Sequence, residues 1–346
     1  RTRAQGKTTG LALGWENVQV GQNRLDDKHV GLYWTFTDST GGYIDAVAMQ
    51  SRYDGRVRSS RGLGFGIKGD GTSVSVEAGK PLLHFLHGNG FCGRTYEPML
   101  AHLSEHFDLW LCDAQGHGET EHGGDFRGWN RSAELAVEAF EAGRGAFGDV
   151  PRYILGHSFG GVLSSLILSR HHQLFRRAVL LDPVLFSRGM IMAMAVARLF
   201  GVHRRNTMSQ KSVKRRQRWP DRASAFAQLQ GRGIFKGWVD EALHAYVDNA
   251  LKDVEGGVEL KCRPSREVDI FSSFPRHLWS SLPKIRTPTL LIHGQATYPF
   301  VGQSARKLAR INPTVIEMEV PGGHCFMQEF PAQSAAQVVA FLLPEG

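Results

Sequence analysis

The tightest constraint on this chain is the run Gly156-His157-Ser158-Phe159-Gly160. It directly follows the apolar stretch Tyr153-Ile154-Leu155 and opens a helical pattern that continues from Phe159 to Arg170. A serine between two such glycines at a strand-to-helix junction implies a sharp turn with a strained backbone. The glycines let neighbouring backbone come close where a Cβ atom would clash. The helix that follows aims its free N–H groups back at the serine, so negative charge developing there is stabilised. The pattern marks Ser158 as a candidate nucleophile. Gly161 adds another small residue for close packing of the helix on a sheet.

The flanking sequence repeats this strand-then-helix grammar. From Pro81 onward, short apolar runs alternate with segments of helical period, which signals βα units on a mostly parallel sheet. Leu82–Leu86, Leu109–Cys112, Tyr153–Leu155, Ala178–Leu181, Thr289–Ile292 and Val315–Val320 are predicted strands. Arg94–Glu105, Arg131–Phe147, Ser304–Ile311 and Ala332–Leu342 are predicted helices. The alternation stops across residues 184–282, where the pattern is helical throughout. Three parts are therefore expected. Residues 1–78 form an irregular, Gly-rich lead with antiparallel edge strands around Gly31–Phe36 and Thr72–Val76. Residues 79–183 and 283–346 form the α/β core. Residues 184–282 form a helical cap over the carboxyl ends of the strands, the edge where open α/β sheets bind ligands.

Two further turns at that edge carry chemistry. His87-Gly88-Asn89-Gly90 ends the strand Leu82–Leu86, and the backbone amides of Asn89 and Phe159 are the expected donors to an oxyanion. Pro321-Gly322-Gly323-His324 follows the last strand. A histidine on a glycine-rich loop there can reach a neighbouring serine and take its proton, so His324 is the candidate general base. Asp113-Ala114-Gln115-Gly116-His117-Gly118 offers His117 as a rival. This turn reads instead as one that shapes the pocket floor.

Composition narrows the function classes. Hydrophobic residues make up 42% and charged residues 21% of the chain, the balance of a soluble globular protein. No apolar run approaches the roughly 18 residues of a membrane span. The start, Arg1-Thr2-Arg3, lacks the apolar core of a secretory signal, which predicts a cytoplasmic location. Cys92, Cys112, Cys262 and Cys325 show no metal-ligand spacing and are expected to be free thiols. The glycine-rich turns lack the lysine of a phosphate loop, so no cofactor and no metal are expected. The formal charge of +8 is concentrated between residues 204 and 222. With no accompanying nucleic-acid motif, no nucleic-acid partner is expected, and the cluster reads mainly as a solvated helix face. A weak contact with an anionic surface through 204–222 is the other reading.

Together, H-G-N-G, D-x-x-G-H-G, G-H-S-F-G-G and P-G-G-H, each after its own strand, resemble the α/β-hydrolase superfamily. The likeness is greatest to its capped serine esterases and carbon–carbon bond hydrolases and spans roughly residues 80–343. It implies a mostly parallel, eight-stranded sheet flanked by helices, with a helical cap. Most members place an acid in the loop after the seventh strand, but here His293-Gly294-Gln295-Ala296-Thr297-Tyr298-Pro299-Phe300 contains no carboxylate. Some members, pancreatic-type lipases among them, carry the acid after the sixth strand, where this chain has Asp182. Asp182 is therefore the expected acid of a Ser158–His324–Asp182 triad, the alternative being a Ser–His dyad with Asp182 as a turn cap. The aromatic and methionine residues of the cap suggest an apolar pocket. The expected activity is hydrolysis of an ester-like small molecule, apolar or aromatic, through an acyl-enzyme. A carbon–carbon or thioester hydrolase, or a non-catalytic binding protein of the same fold, are the alternatives.

Overall fold

The computed structural model describes residues 2–10, 18–37, 43–59 and 64–344. The chain divides into two compact units, Arg1–Gly79 and Lys80–Gly346. The first is an antiparallel sheet of β1 (Thr2–Gly10), β2 (Val18–Thr37), β3 (Tyr43–Ser59) and β4 (Gly64–Gly79), each paired with its sequence neighbour. Register is continuous from Thr37↔Tyr43 to Gly21↔Ser59 between β2 and β3. The two expected edge strands lie within β2 and β4.

The second unit is a parallel sheet packed between helices. Its central sheet is built from β5 (Leu82–Leu86), β6 (Asp108–Cys112), β7 (Arg152–His157), β8 (Arg177–Leu181), β12 (Thr289–Gly294) and β13 (Val315–Val320). The spatial order is β13-β12-β8-β7-β5-β6, and every pairing is parallel. Among the described residues this sheet has six strands, not the eight implied by the resemblance. The lead strands pair with one another instead, because pairing between sequence neighbours closes at the smallest loop-entropy cost. From β5 the chain runs outward to β6 and then crosses back to β7. That reversal is a topological switch point, and the crevice beside it is the usual ligand edge.

Central strands are apolar on both faces because helices cover both sides of the sheet. All of β5 and all of β12 is buried. The edge strand β13 instead leaves Ile316 and Met318 partly in solvent. Helix Phe159–Leu168 is buried at all ten positions. Its Ser164 and Ser165 hydroxyls donate to the carbonyls of Gly160 and Gly161, at 2.9 and 2.8 Å. These bonds satisfy two polar groups that burial would otherwise penalise.

One buried polar side chain in β5 is not satisfied. His84 is fully buried between Phe140 and Phe175, and neither ring nitrogen has a partner among the described residues. Burial pushes its pKa down to about 3. Below pH 6.5 an unfolded His84 binds a proton that the folded one refuses. Stability should therefore fall with acidification toward pH 3, by up to about 1.4 kcal/mol per pH unit from this group. His84→Leu is expected to flatten that acid limb when urea midpoints are compared from pH 7 to pH 4. An unchanged slope would refute the assignment.

Between β8 and β12, residues 184–282 contain the helices Arg188–Leu199, Thr207–Val213, Arg222–Leu229, Asp240–Asn249, Pro264–Phe271 and Leu278–Ser281. Three start at side-chain caps: Ser187, Asn206 and Asp221 accept from the amides of Met190, Ser209 and Ser224. The segment is not wholly helical, contrary to the sequence expectation for residues 184–282. It also carries a small antiparallel sheet of β9 (Arg218–Trp219), β10 (Leu251–Val254) and β11 (Gly257–Leu260), in the order β10-β11-β9. The hairpin turns at Glu255-Gly256, where Gly256 has φ +79°, and a strand is favoured because Leu251, Val258, Leu260 and Trp219 are buried on it. Burial within the segment thus overrode its helical surroundings. This core is continuous with Phe91 and Tyr96, and Phe91 packs on Trp238 and Tyr246 at ring separations of 5.6 and 5.9 Å.

Candidate active site

Three turns at the carboxyl edge of the sheet converge. Ser158 follows β7 and caps helix Phe159–Leu168 with φ 53° and ψ −111°. That conformation is costly for a residue with a Cβ, and its surroundings enforce it. A Cβ on Gly156 would lie 2.5 Å from the Gly160 carbonyl oxygen, and one on Gly160 would lie 2.1 Å from that of Leu86. The Ser158 amide donates to Leu181 at 3.0 Å, and the Gly160 amide to His87 at 3.1 Å, tying the turn to both neighbouring strands.

His324 stands on the loop after β13. Its Nε2 lies 2.9 Å from Ser158 Oγ and its Nδ1 lies 2.5 Å from Asp182 Oδ2. Asp182 is fully buried directly after β8, with φ 44°. Its Oδ1 accepts from the Gly294 amide at 2.9 Å, and its Oδ2 also accepts from the Thr297 hydroxyl at 2.5 Å. The loop after β12, which lacks a carboxylate of its own, thus holds the carboxylate of Asp182. With Asp182 ionised, Nδ1 carries the proton and Nε2 is free to accept from the serine hydroxyl. The arrangement can deprotonate a hydroxyl aimed at an electrophile and stabilise the imidazolium that results.

Asn89 and Phe159 are the residues whose amides the sequence offers as oxyanion donors. Asn89 and Phe159 line the same cavity as Ser158 and His324. Among the described residues, neither backbone N–H has a protein acceptor. The Asn89 side chain is anchored at both ends. Its Nδ2 donates to the Glu267 carbonyl at 3.3 Å and its Oδ1 accepts from His117 Nε2 at 3.2 Å. His117 is fully buried and meets Asn89 rather than Ser158, consistent with a turn residue under the pocket. Burial holds its pKa well below the ordinary histidine value.

Several residues of the site were not legible in the sequence. Tyr96 accepts from the Gly88 amide at 3.0 Å and donates to His157 Nδ1 at 2.6 Å. His157 Nε2 in turn donates to the His324 carbonyl at 2.9 Å. Burial, reinforced by neighbouring His324, keeps His157 neutral with its pKa far below normal. A chain of hydrogen bonds thus joins the Gly88–Asn89 turn to the histidine loop through the middle residue of G-H-S. Glu329 adds a clamp by accepting from the Gly323 amide at 2.8 Å. A Tyr eight positions after Gly88 and a Glu five after His324 carry no spacing signature, so nothing in the sequence singles them out.

The cavity has a volume of about 1340 Å³. Its lining is mostly apolar and draws Phe186, Met190, Met194, Ile234 and Phe235 from residues 184–282. Not all the aromatic and methionine residues of that segment point inward. Trp219 and Trp238 are buried in its own core, whereas Met192 and Phe200 are 67% and 74% exposed. On another wall, Arg215 pairs with the buried Glu267 and with the Tyr246 hydroxyl. Burial pushes that hydroxyl up to about 12 despite the arginine. Among the described residues, no three His, Cys, Asp or Glu side chains cluster as a metal site. No described helix is long and apolar enough to cross a membrane.

A parallel sheet with a reversed first crossover, a serine on a strained strand-to-helix turn and a histidine within reach define an α/β-hydrolase. The family model for the alpha/beta hydrolase family matches residues 85–337, and the chain belongs to that family. It is 22% identical to the 2-(acetamidomethylene)succinate hydrolase of Mesorhizobium japonicum over 264 residues, 74% of this chain and 86% of that enzyme. It is 32% identical to the monoglyceride lipase of Mus musculus over 115 residues, which span 31% of this chain and only 36% of the mouse enzyme. Among solved structures it resembles E-2-(acetamidomethylene)succinate hydrolase, with a TM-score of 0.63 at 16% identity, covering 90% of this chain and 99% of the other. The peroxisomal alpha-beta-hydrolase Lpx1 of Saccharomyces cerevisiae gives a TM-score of 0.60 at 16% identity, covering 94% and 90%. At such identities the structural likeness speaks for the fold alone.

Proposed function

We propose that this chain is a serine hydrolase that cleaves an ester-type bond of an apolar or aromatic substrate through an acyl-enzyme, with residues 184–282 acting as its cap. The observation that carries this reading is the hydrogen-bonded series Asp182–His324–Ser158, which ends in the apolar cavity. Ser158 Oγ attacks the carbonyl carbon while His324 Nε2 takes its proton. The carbonyl oxygen becomes an oxyanion facing the amides of Asn89 and Phe159. The intermediate collapses, His324 gives the proton to the departing alkoxide, and the acyl group stays on Ser158. Water then attacks, His324 takes its proton, and the acid departs as His324 reprotonates Ser158. Asp182 keeps the proton on Nδ1 and offsets the imidazolium charge in both halves.

The cavity exceeds the roughly 300–1,000 Å³ of common ligand pockets, so it has room for an extended acyl chain or a bulky aryl group. The non-catalytic alternative rested on the missing acid in the loop after β12, and the contacts of Asp182 with His324 weaken it. A fluorophosphonate probe tests the proposal. Stoichiometric labelling of Ser158 that His324→Ala abolishes is expected, together with faster turnover of p-nitrophenyl octanoate than of the acetate. An unlabelled Ser158 under conditions that label a known serine esterase would overturn it.

A further inference from the structure

Helix Arg188–Leu199 is built unlike a helix of a soluble surface. A helix with apolar residues all round is normally buried, yet this one has no buried residue. Its inner face, Met190, Ala193, Met194 and Ala197, lines the cavity. Its outer face carries Met192, Val196 and Leu199 at spacings of four and three, with Phe200 at the next position. These four are 67%, 47%, 82% and 74% exposed. Four large apolar side chains side by side in water are a cost that soluble surfaces normally avoid.

Residues 184–220 carry lysines and arginines and no carboxylate side chain. Exposed Arg188 and Arg198 lie on the helix itself, and the chain that follows adds Arg204, Arg205, Lys211 and Lys214, all exposed. The turn His203–Arg205 packs against both this helix and helix Thr207–Val213, which brings Arg204 and Arg205 beside the helix that carries the stripe, while Arg205 and Lys211 also line the cavity. Arg204 is paired with Asp269 at 2.6 Å. Among the described residues, Arg188, Arg198, Arg205, Lys211 and Lys214 have no carboxylate partner. Val213, at the end of helix Thr207–Val213, is also 58% exposed. An apolar stripe bordered by unpaired lysines and arginines suits the interface of an anionic bilayer, where apolar side chains enter the headgroup boundary and cations meet lipid charge.

We infer that the outer face of helix Arg188–Leu199, with its cationic border, docks this protein on anionic lipid surfaces. The surface extends the basic segment 204–222 to a helix outside it and gives the contact an apolar anchor. Because the opposite face of the same helix lines the cavity, docking would place a lipophilic ester next to the cavity wall. Only that last use rests on the proposed hydrolysis.

The test uses the full chain and sucrose-loaded vesicles of either phosphatidylcholine alone or phosphatidylcholine mixed with phosphatidylserine. Wild type should sediment with the mixed vesicles at least about tenfold more strongly than with the neutral ones, and the difference should shrink as salt is raised. Leu199→Asp with Phe200→Asp should weaken binding to mixed vesicles about tenfold or more. Leu199→Ser with Phe200→Ser should act in the same direction and guards against misfolding in the charged variant. Arg188→Glu with Lys214→Glu should remove the preference for anionic lipid. None of these residues lines the cavity, so hydrolysis of soluble p-nitrophenyl butyrate should be unchanged in all variants. Loss of that activity in wild type would count against the proposed reaction and leave the vesicle result standing. Equal binding to both lipids, no binding, or variants that bind like wild type would overturn the docking. So would a wild-type dimer in sedimentation velocity that the Leu199/Phe200 variants convert to monomer, since a second copy would then cover the face.

Discussion

Ser158→Ala is expected to lower kcat for a p-nitrophenyl ester by about a millionfold while leaving the melting temperature in place. A serine hydrolase that loses its nucleophile falls back on oxyanion stabilisation and binding alone, and losses of roughly 10⁶ follow. The fold should not register the change. Alanine keeps the Cβ that Ser158 already carries at φ 53°, and the bonds that shape the turn come from the backbone of Ser158 and Gly160. His324 loses one hydrogen-bond partner and keeps Asp182. Stopped assays with purified variant, set against thermal melts of both proteins, check the prediction. Turnover within tenfold of wild type would show that another group performs the attack.

Asp182→Asn is the second large effect, and it separates the triad from the dyad. The carboxylate oxygen that faces His324 Nδ1 also accepts from Thr297. An asparagine can keep its oxygen on the Gly294 amide and turn its NH₂ toward Thr297 and His324. The imidazole must then accept at Nδ1, which moves its proton to Nε2, facing the serine hydroxyl it should deprotonate. A fall in kcat of about 10⁴-fold is expected from this inverted tautomer. Because the bonds to Gly294 and Thr297 survive, stability should change little. If Asp182 served only as a turn cap, kcat would stay near wild type. A general collapse of the fold would appear in the melts rather than in kcat alone.

The parts of the site that were legible from sequence are those written in consecutive residues. G-H-S-F-G encodes a turn whose glycines are required by contacts of 2.1 and 2.5 Å, and such sterics leave a local imprint. The histidine on P-G-G-H was legible for the same reason. Asp182 was legible only through a resemblance, because its two anchors, Gly294 and Thr297, lie 112 and 115 residues away. The Tyr96–His157 link spans 61 residues and left no pattern. The hairpin at Glu255-Gly256 did carry a turn signal, but the helical period on either side obscured it. The sheet count was overestimated because strand partnership is chosen between segments, and the lead strands found partners among themselves.

What the sequence determined by itself was the strand-to-helix grammar after Pro81, the strained bend at Ser158 and the glycine loop that carries His324. These depend on backbone sterics and on the spacing of apolar residues, which neighbours along the chain decide. Only the tertiary structure decided that Asp182, His324 and Ser158 lie in one hydrogen-bonded line. It alone decided that Met190 and Met194 face the cavity while Met192 and Phe200 face water. The physical reason is the same for both: where a side chain points relative to a distant one is the outcome of packing six strands and their helices together, and no short window of sequence contains that sum.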